Sequence, residues 1–358
     1  EITGSPSLKA AVLFESNKPM PIVELDQSEP KSGEVRVRMS AAGVCASDYH
    51  VMTGHNPTPM PIVLGHEGAG VVEAVGPDVT SVKIGDRCVL SFVANCGHCR
   101  SCRTGLSNLC DTNRETGTRQ YDGTFRLHTD DGTEDHQFAK LGEFAESIIV
   151  PHQACYPIPD VPMEVAALIG CSVTTGIGGV INQPGMRAGM TVAVIGAGGV
   201  GLNALQGARL MNASKVIAVD IFDHKLEFAY KFGATDVINS KEQDPVAAIQ
   251  EMTDGGVDFA FDTFGHKITT EQAWGATRKG GTTVVVGLAP DGMTAEIPMI
   301  DLVRNQKTLV GSYYGSASPH ETFGKLLDFY LQGRIEVDGM VTRRHKLEDI
   351  NEAYELLA

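Results

Sequence analysis

The chain has 358 residues, a formal net charge of −15, and 20% charged residues. This length predicts two domains, each able to bury a sizeable apolar core. The acidic balance and the lack of a basic run argue against a nucleic-acid partner. Because we find no signal-like start and no apolar run of about 20 residues, we expect no membrane segment and a cytoplasmic location. Residues Glu1 to Ser7 resemble a terminal tail and are left out of the fold prediction.

The first part of the chain is predicted to contain short antiparallel strands. Apolar and polar residues alternate there, as in Glu34 to Met39, and Pro and Gly interrupt the pattern. A cluster of chemically active side chains follows within six residues, namely Cys45, Ser47, Asp48 and His50. A thiol, a hydroxyl, a carboxylate and an imidazole this close together favour a functional site, and a random cluster is the alternative.

A His-Glu pair is flanked by glycines in Gly65-His66-Glu67-Gly68. This pattern predicts a turn in which the backbone passes close to a bulky or charged group. A lone histidine is usually structural, and a cysteine such as Cys171 is often a small buried hydrophobe. Here His66, Cys45 and Cys171 together provide sulfur and nitrogen donors with an open position, as a catalytic zinc requires.

Four further cysteines lie close together in the chain. They form two consecutive Cys-x-x-Cys steps and a fourth position eight residues later, comprising Cys96, Cys99, Cys102 and Cys110. Four thiolates in one small loop can close a tetrahedral shell, which predicts a structural zinc; an iron-sulfur cluster or disulfides are the alternatives. The polar, glycine-rich residues 111–142 predict a long irregular loop over a pocket or an interface, and a disordered insertion is the alternative.

A dinucleotide-binding turn is predicted between two strands. The apolar run Thr191 to Ile195 is followed by a glycine turn and a helix-like segment, and the next strand ends at Asp220; the turn comprises Gly196, Ala197, Gly198, Gly199, Val200 and Gly201. Its glycines allow a tight turn, close approach of a pyrophosphate and close packing of the helix on the strand. The carboxylate of Asp220 repels a 2′-phosphate, and Ile221 and Phe222 offer no cation, which favours NAD over NADP.

The alternation of strands and helices continues beyond Asp220. Helices are predicted at 225–232 and 244–252, and strands at 237–238, 257–262, 282–288 and 308–314. Six strands with intervening helices predict an α/β fold with a doubly wound parallel sheet.

The motifs and their order along the chain resemble those of the zinc-dependent medium-chain alcohol dehydrogenases, specifically the longer-chain, class III-like branch. The resemblance rests on the segment from Gly43 to His50, the Gly65–Gly68 motif, the cysteine lobe, Gly170-Cys171 and the dinucleotide turn. It implies a β-rich GroES-like catalytic domain over 8–172 and 313–358, with a structural zinc lobe at 95–111. It also implies a six-stranded Rossmann domain for NAD over 173–312.

The resemblance further implies two zinc ions per chain and roles for the residues around the catalytic zinc. Cys45, His66 and Cys171 would be its ligands. Behind them, Glu67 would lie close to the metal and Asp48 would steady the imidazole of His66. A zinc with an open position lowers the pKa of a bound hydroxyl. A zinc-bound alkoxide could then transfer hydride to NAD, while Ser47 and His50 carry the proton to solvent.

Several contacts are implied more weakly. Phe92 and Thr175 match substrate or nicotinamide contacts, although core packing and a helix N-terminus are the alternatives. Lys225 matches a ribose contact. Ala46 stands where many relatives carry a basic residue against the pyrophosphate, so one ion pair is missing. The strand 308–314 resembles the one through which relatives dimerise, which predicts a homodimer.

The sequence leaves several functions open. The leading one is NAD-linked interconversion of primary or secondary alcohols and aldehydes or ketones. A rival is oxidation of a formaldehyde adduct of glutathione or mycothiol, with Arg114 as an anion-binding residue, although Arg114 could equally be a solvated loop charge. A catalytically silent NAD-binding homologue is a further alternative, as is a nicotinoprotein that retains its NAD through turnover.

Overall fold

The computed structural model describes residues 7–129 and 131–357. Residues 1–6 of the predicted tail lie outside this part, whereas Ser7 begins the first strand. The chain forms two compact units. The first comprises the residues up to Cys171, Ser318–Leu327 and those from Val337 onward, and the second comprises Ser172–Ala317 and Asp328–Glu336. The sequence had placed the domain boundaries after residues 172 and 312.

Sixteen strands and twelve α-helices lie within residues 7–129 and 131–357. The strands are β1 Ser7–Leu13, β2 Ile22–Gln27, β3 Glu34–Ala42, β4 Ile62–Val63, β5 Gly68–Val75, β6 Arg87–Leu90, β7 Leu127–His128, β8 Glu134–Gln137, β9 Ser147–Pro151, β10 Cys155–Pro157, β11 Thr191–Ile195, β12 Lys215–Asp220, β13 Asp236–Asn239, β14 Val257–Asp262, β15 Thr277–Val285 and β16 Thr308–Gly311. The helices are α1 Ala46–Met52, α2 Arg100–Arg103, α3 Asp111–Thr116, α4 Met163–Leu168, α5 Thr174–Ile181, α6 Gly199–Leu210, α7 Asp223–Ala229, α8 Pro245–Met252, α9 Lys267–Ala276, α10 Met299–Arg304, α11 Pro319–Leu331 and α12 Ile350–Leu357.

The first unit is β-rich, as predicted. Strands β1, β2, β7, β8 and β4 close a barrel, and β10, β6, β5, β3 and β9 form a five-stranded sheet. Alternation places Val35 and Val37 of β3 in the core. The prediction of an irregular loop over 111–142 is wrong in part, because this segment supplies α3, β7 and β8. With two and four residues, β7 and β8 are too short to give a readable alternation.

The second unit contains the six-stranded doubly wound sheet that the sequence predicted. Its strand order is β13-β12-β11-β14-β15-β16, and every neighbouring pair is parallel. The order reverses between β11 and β14, so the carboxyl ends of β11 and β12 lie beside a topological switch point. Apolar residues fill the sheet, as in Val192 to Ile195, where each residue is at most 2% exposed.

Helices α4 and α5 are joined into one continuous helix. A single π-helical segment, Ile169–Val173, joins α4 to α5, and Cys171 lies within it. The resulting 19-residue helix, Met163–Ile181, is the one helix of the described chain long and apolar enough to cross a membrane. However, 78% of its apolar window is buried inside the protein, as is typical of a core helix.

Candidate functional site

The structure brings Cys45, His66 and Cys171 together. Cys45 caps the start of α1, His66 lies between β4 and β5, and Cys171 lies in the π-helical segment. Their donor atoms lie within 4.8 Å of one another, and the Cys171 Sγ is 3.5 Å from the His66 Nε2. His66 and Cys171 are buried, and Cys45 is half-buried. Three donors of this kind suit a catalytic zinc, because they leave one tetrahedral position open.

The charges of this cluster also fit a divalent cation. A hydrogen bond from the Cys171 thiol lowers the pKa of Cys45 well below its usual value, and His66 lowers it further, although burial opposes them. Burial also opposes a charge on His66, yet the carboxylate of Asp48 and the sulfur of Cys45 raise the pKa of this imidazole well above its usual value. The cluster thus stabilises a thiolate at Cys45 and a positive charge at His66, and a zinc ion bound there would supply that positive charge in place of the imidazole proton.

Asp48 fixes the orientation of the His66 ring. This carboxylate is fully buried, and its Oδ2 lies 3.1 Å from the His66 Nδ1. Its Oδ1 accepts a hydrogen bond of 2.9 Å from the backbone N–H of Gly65. Because Nδ1 faces the carboxylate, Nε2 is the nitrogen directed at the two cysteines, which is the usual arrangement of a metal-binding histidine.

The glycines around His66 make room for a residue that sequence reasoning missed. A Cβ on Gly68 would lie 2.5 Å from the carboxyl carbon of Glu143, and one on Gly65 would lie 3.0 Å from the Glu143 Cβ. Glu143 is 2% exposed, and burial raises its pKa well above the usual value. The bulky or charged group predicted beside this turn is therefore Glu143. Nearby Glu67 is also 2% exposed.

Two phenylalanine rings flank His66. The rings of Phe92 and Phe138 lie edge-on to the imidazole, with centroid distances of 5.5 and 5.4 Å. The resemblance to the family predicted Phe92 as a contact, whereas Phe138 lies in the segment predicted to be an irregular loop. These apolar rings can exclude water beside the histidine and contact the carbon skeleton of a small substrate.

Ser47 and His50 lie one turn apart on α1, so they share a helix face. Both are half-buried. The His50 Nδ1 is buried and has no hydrogen-bond partner among the described residues. Burial, together with His55 at a ring distance of 5.7 Å, lowers the pKa of His50. His50 is therefore neutral at pH 7 and able to accept a proton.

The four cysteines of the predicted structural zinc site also converge. Their sulfur atoms lie within 4.8 Å of one another. Backbone N–H groups donate to them, at 3.3 Å from Cys99 to Cys96 and 3.4 Å from Cys102 to Cys99. Burial raises the pKa of Cys96, but hydrogen bonds from Thr112 and the backbone outweigh it and lower the value to about 6. Burial instead raises the pKa of Cys102 and of Cys110, and a bound zinc ion would hold these two sulfurs as thiolates.

The dinucleotide turn has the geometry expected of its glycines. Gly196 has φ +97°, and a Cβ on Gly201 would lie only 1.8 Å from the Gly196 carbonyl oxygen. No heavy atom lies within 4 Å of the place where a Cβ of Gly198 would stand. The 12-residue helix α6 begins at Gly199, with Val200 in its first turn, so its N-terminal N–H groups face this open space.

Asp220 lies at the carboxyl end of β12, beside this turn. Its carboxylate accepts hydrogen bonds from three backbone N–H groups, those of Ala197 at 2.8 Å, Ile221 at 2.7 Å and Phe222 at 3.1 Å. These donors fix the carboxylate in place at the edge where a ribose would lie in this fold.

Two lysines lie close to this end of β12. The ammonium groups of Lys225 and Lys241 lie 5.1 and 4.7 Å from the centre of the Phe222 ring. Lys225 is the predicted ribose contact, whereas Lys241 was not predicted to lie here. Thr175, the other residue predicted to contact substrate or nicotinamide, is half-buried near the start of α5 in the second unit.

Comparisons with known proteins agree with this chemistry. Residues 31–160 match the alcohol dehydrogenase GroES-like domain family, and residues 199–332 match the zinc-binding dehydrogenase family. The NDMA-dependent alcohol dehydrogenase of Amycolatopsis methanolica is 42% identical over 97% of this chain and 95% of its own. The S-(hydroxymethyl)glutathione dehydrogenase of Saccharomyces cerevisiae is 38% identical over 97% of this chain and 92% of its own.

Solved structures are similar over nearly the whole chain. The benzyl alcohol dehydrogenase of Acinetobacter calcoaceticus gives a TM-score of 0.92 at 36% identity, with 98% of this chain and 96% of that one covered. A zinc-binding dehydrogenase of Sinorhizobium meliloti bound to NADP gives 0.80 at 28% identity, with 97% and 95% covered.

Proposed function

The chain belongs to the zinc-dependent medium-chain alcohol dehydrogenase family, and we propose that it interconverts primary or secondary alcohols and aldehydes or ketones with NAD. The observation that carries this proposal is the convergence of Cys45, His66 and Cys171 beside the buried carboxylate of Asp48. A zinc ion held by these three residues would supply a Lewis acid that lowers the pKa of an alcohol hydroxyl. This donor set leaves a position for that hydroxyl.

The remaining residues of the first unit would orient the substrate and move its proton. Phe92 and Phe138 would contact the carbon skeleton and keep water away from the hydroxyl. Ser47 would take the hydroxyl proton, and the neutral imidazole of His50 would pass it toward solvent. Glu67, which is 2% exposed and follows His66 in the chain, would adjust the electrostatic potential at the donor set.

We propose NAD as the cofactor. Its pyrophosphate would lie at the N-terminus of α6, over the open space at Gly198. The carboxylate of Asp220 would accept hydrogen bonds from the ribose hydroxyls and repel a 2′-phosphate. Lys225 would contact the same ribose. A ratio of kcat/KM for NAD to that for NADP above about 100 is the expected result, and equal values would contradict this assignment.

Metal analysis combined with an activity assay tests the proposal. We expect two zinc ions per chain, one at each cysteine cluster, and NADH formation from alcohols. Cys45→Ser should retain one zinc and lose NADH formation. Cys88→Ala is the matched control, because Cys88 is a buried thiol outside both clusters, and it should retain both ions. A wild-type protein with zinc at the lobe alone would favour a catalytically silent homologue.

A thiol adduct of formaldehyde is the second candidate substrate. Arg114 on α3 is exposed and makes no ion pair with any residue that the structure describes, so it can meet an anionic substrate. Formaldehyde should be assayed with and without glutathione or mycothiol. If the thiol leaves the rate unchanged, this candidate is excluded. If it accelerates the reaction, Arg114→Ala should raise the KM of the adduct but not that of simple alcohols.

The relatives suggest two additions to the assays. Benzyl alcohol belongs in the substrate panel because Phe92 and Phe138 suit an aromatic ring. Gel filtration without denaturant should be used to ask whether NAD stays bound. Retained NAD and activity that needs an added hydride acceptor would favour a nicotinoprotein, whereas free exchange of NAD is expected of an ordinary dehydrogenase.

We also propose that the protein is a homodimer that pairs through β16. This strand is at the edge of the parallel sheet, and apolar side chains are exposed nearby, with Met299 at 73%, Val303 at 69% and Leu309 at 41%. An apolar edge strand is a ready surface for a second copy. Light scattering should give a mass near twice 38.1 kDa. Val303→Glu should give monomers, and the equally exposed Ile84→Glu should not.

A further inference from the structure

Tyr354 places a hydroxyl group inside the first unit. It lies on α12 and is 2% exposed, and its ring packs edge-on against Phe144 at 5.9 Å. The hydroxyl oxygen is buried and has no hydrogen-bond partner within residues 7–129 and 131–357. Buried hydroxyls are nearly always hydrogen-bonded, because they lose their contacts with water on folding.

The neighbours of this hydroxyl belong to the metal site. It lies beside the side chain of Asp48 and the backbone of Cys45. Like the Tyr354 hydroxyl, the Asp48 Oδ2 is buried and unpaired by strict hydrogen-bond geometry, although His66 is 3.1 Å away. A carboxylate has about four acceptor positions, and Gly65 uses only one of those on Oδ1. Asp48 can therefore accept a further hydrogen bond, and the phenol has one proton to donate.

We propose that the Tyr354 hydroxyl donates a hydrogen bond to the Asp48 carboxylate and is a positioning residue for the metal ligand His66. This inference rests on the proposed function, since it assumes zinc at Cys45, His66 and Cys171. With Gly65 and Tyr354 both donating, the carboxylate is held in one plane. The His66 Nδ1–H then stays directed at Asp48, and the Nε2 lone pair stays directed at the metal.

The consequence is measurable as retention of zinc. Partners that orient a metal-binding histidine change metal affinity by about 10- to 100-fold when they are removed. Tyr354 acts one step further away, through Asp48, so we expect Tyr354→Phe to accelerate release of the catalytic zinc by about 3- to 10-fold. This variant keeps the ring and its packing on Phe144, and removes only the hydroxyl oxygen. Release from the lobe cysteines should not change.

Zinc release to a chromogenic chelator should be followed in the wild type, Tyr354→Phe, Asp48→Asn and the double variant. If the hydroxyl acts through Asp48, Tyr354→Phe adds nothing in the Asp48→Asn background, because the effects of coupled residues are not additive. The visible spectrum of the cobalt-substituted protein should also shift in Tyr354→Phe. Tyr230→Phe, at a half-exposed ring in the other unit, is the control and should match the wild type.

Two results would overturn the inference. One is unchanged release and an unchanged cobalt spectrum in Tyr354→Phe, measured on a wild type that holds both zinc ions; this outcome leaves the proposed function intact. The other is an equal effect of Tyr354→Phe with and without Asp48→Asn. A wild type that binds zinc only at the lobe would remove the proposed function and this inference together.

Discussion

The carboxyl group of Asp135 makes the stability of the barrel depend on pH. Asp135 lies on β8 and is fully buried, and neither carboxyl oxygen has a hydrogen-bond partner in the described part of the chain. Burial, with a smaller contribution from the charge of Asp131, raises the pKa of Asp135 to about 6 from an ordinary value of 3.8. The folded state therefore holds this proton more tightly than the unfolded state.

The sign of the effect follows from this difference. Below pH 3.8 the group is protonated in both states and has no effect. Between pH 3.8 and about 6 only the unfolded state releases the proton, so stability falls with rising pH, and above about 6 the full loss is present because the folded state then buries a charge. The shift of about 2 pKa units corresponds to about 3 kcal/mol lost at pH 7.5, and to about half of that at pH 5. Partial screening by water would reduce both values. Asp135→Asn should recover this free energy, with a larger gain at pH 7.5 than at pH 5.

Urea unfolding at pH 5 and pH 7.5 measures the gain. The two units can unfold separately, so urea unfolding of the whole chain can mix two transitions. Hydrogen exchange measured on peptides from β7 and β8 should therefore be added, because it reports on the barrel alone. Asp291→Asn, at an exposed carboxylate of the second unit, is the control and should show no such dependence. Equal gains at the two pH values, or a loss of stability at pH 7.5, would refute the assignment of a raised pKa to Asp135.

Three further predictions concern the lobe, the barrel and the dinucleotide turn. Cys102→Ser should lower the zinc content from two ions to one and make residues 95–111 sensitive to protease; two retained ions would contradict the lobe assignment. Glu34→Gln should lower the free energy of unfolding of the barrel by about 2 kcal/mol in urea titrations. Arg126 is 1% exposed and donates to both Glu34 oxygens, at 2.6 and 2.8 Å, whereas the neutral Gln keeps one acceptor and Asp122 alone keeps its charge; an unchanged midpoint would contradict this. Gly201→Ala should weaken NADH binding at least about tenfold, since its Cβ would lie 1.8 Å from the Gly196 oxygen. Energy transfer from the single tryptophan to NADH measures that affinity. An unchanged affinity in Gly201→Ala would contradict the prediction.

The sequence predicted the parts of the site whose residues must stand at fixed distances from one another along the chain. A tetrahedral thiolate shell needs four cysteines in one loop, and the pyrophosphate turn needs glycines at three positions, so Cys96 and Gly201 stand in recognisable motifs. The six-stranded sheet was predictable for a similar reason, because its strands are apolar and separated by helices.

The sequence could not predict the residues that reach the site by tertiary contact. Glu143, Phe138 and Tyr354 lie beside His66 or Asp48 only because the barrel and α12 pack there, and no spacing in the sequence relates them to these partners. Lys241 was missed because it follows β13 and approaches Phe222 across the sheet edge. The short strands β7 and β8 carried too few residues to show a period.

The central claim is that Cys45, His66 and Cys171 hold a metal at which an alcohol is oxidised by NAD. The most direct measurement is NADH formation from a panel of alcohols by protein of measured zinc content. The account predicts two zinc ions per chain and NADH formation that Cys45→Ser abolishes while the lobe ion remains. Protein with two zinc ions that forms no NADH from any alcohol or thiol adduct, or equal activity in Cys45→Ser, would contradict it.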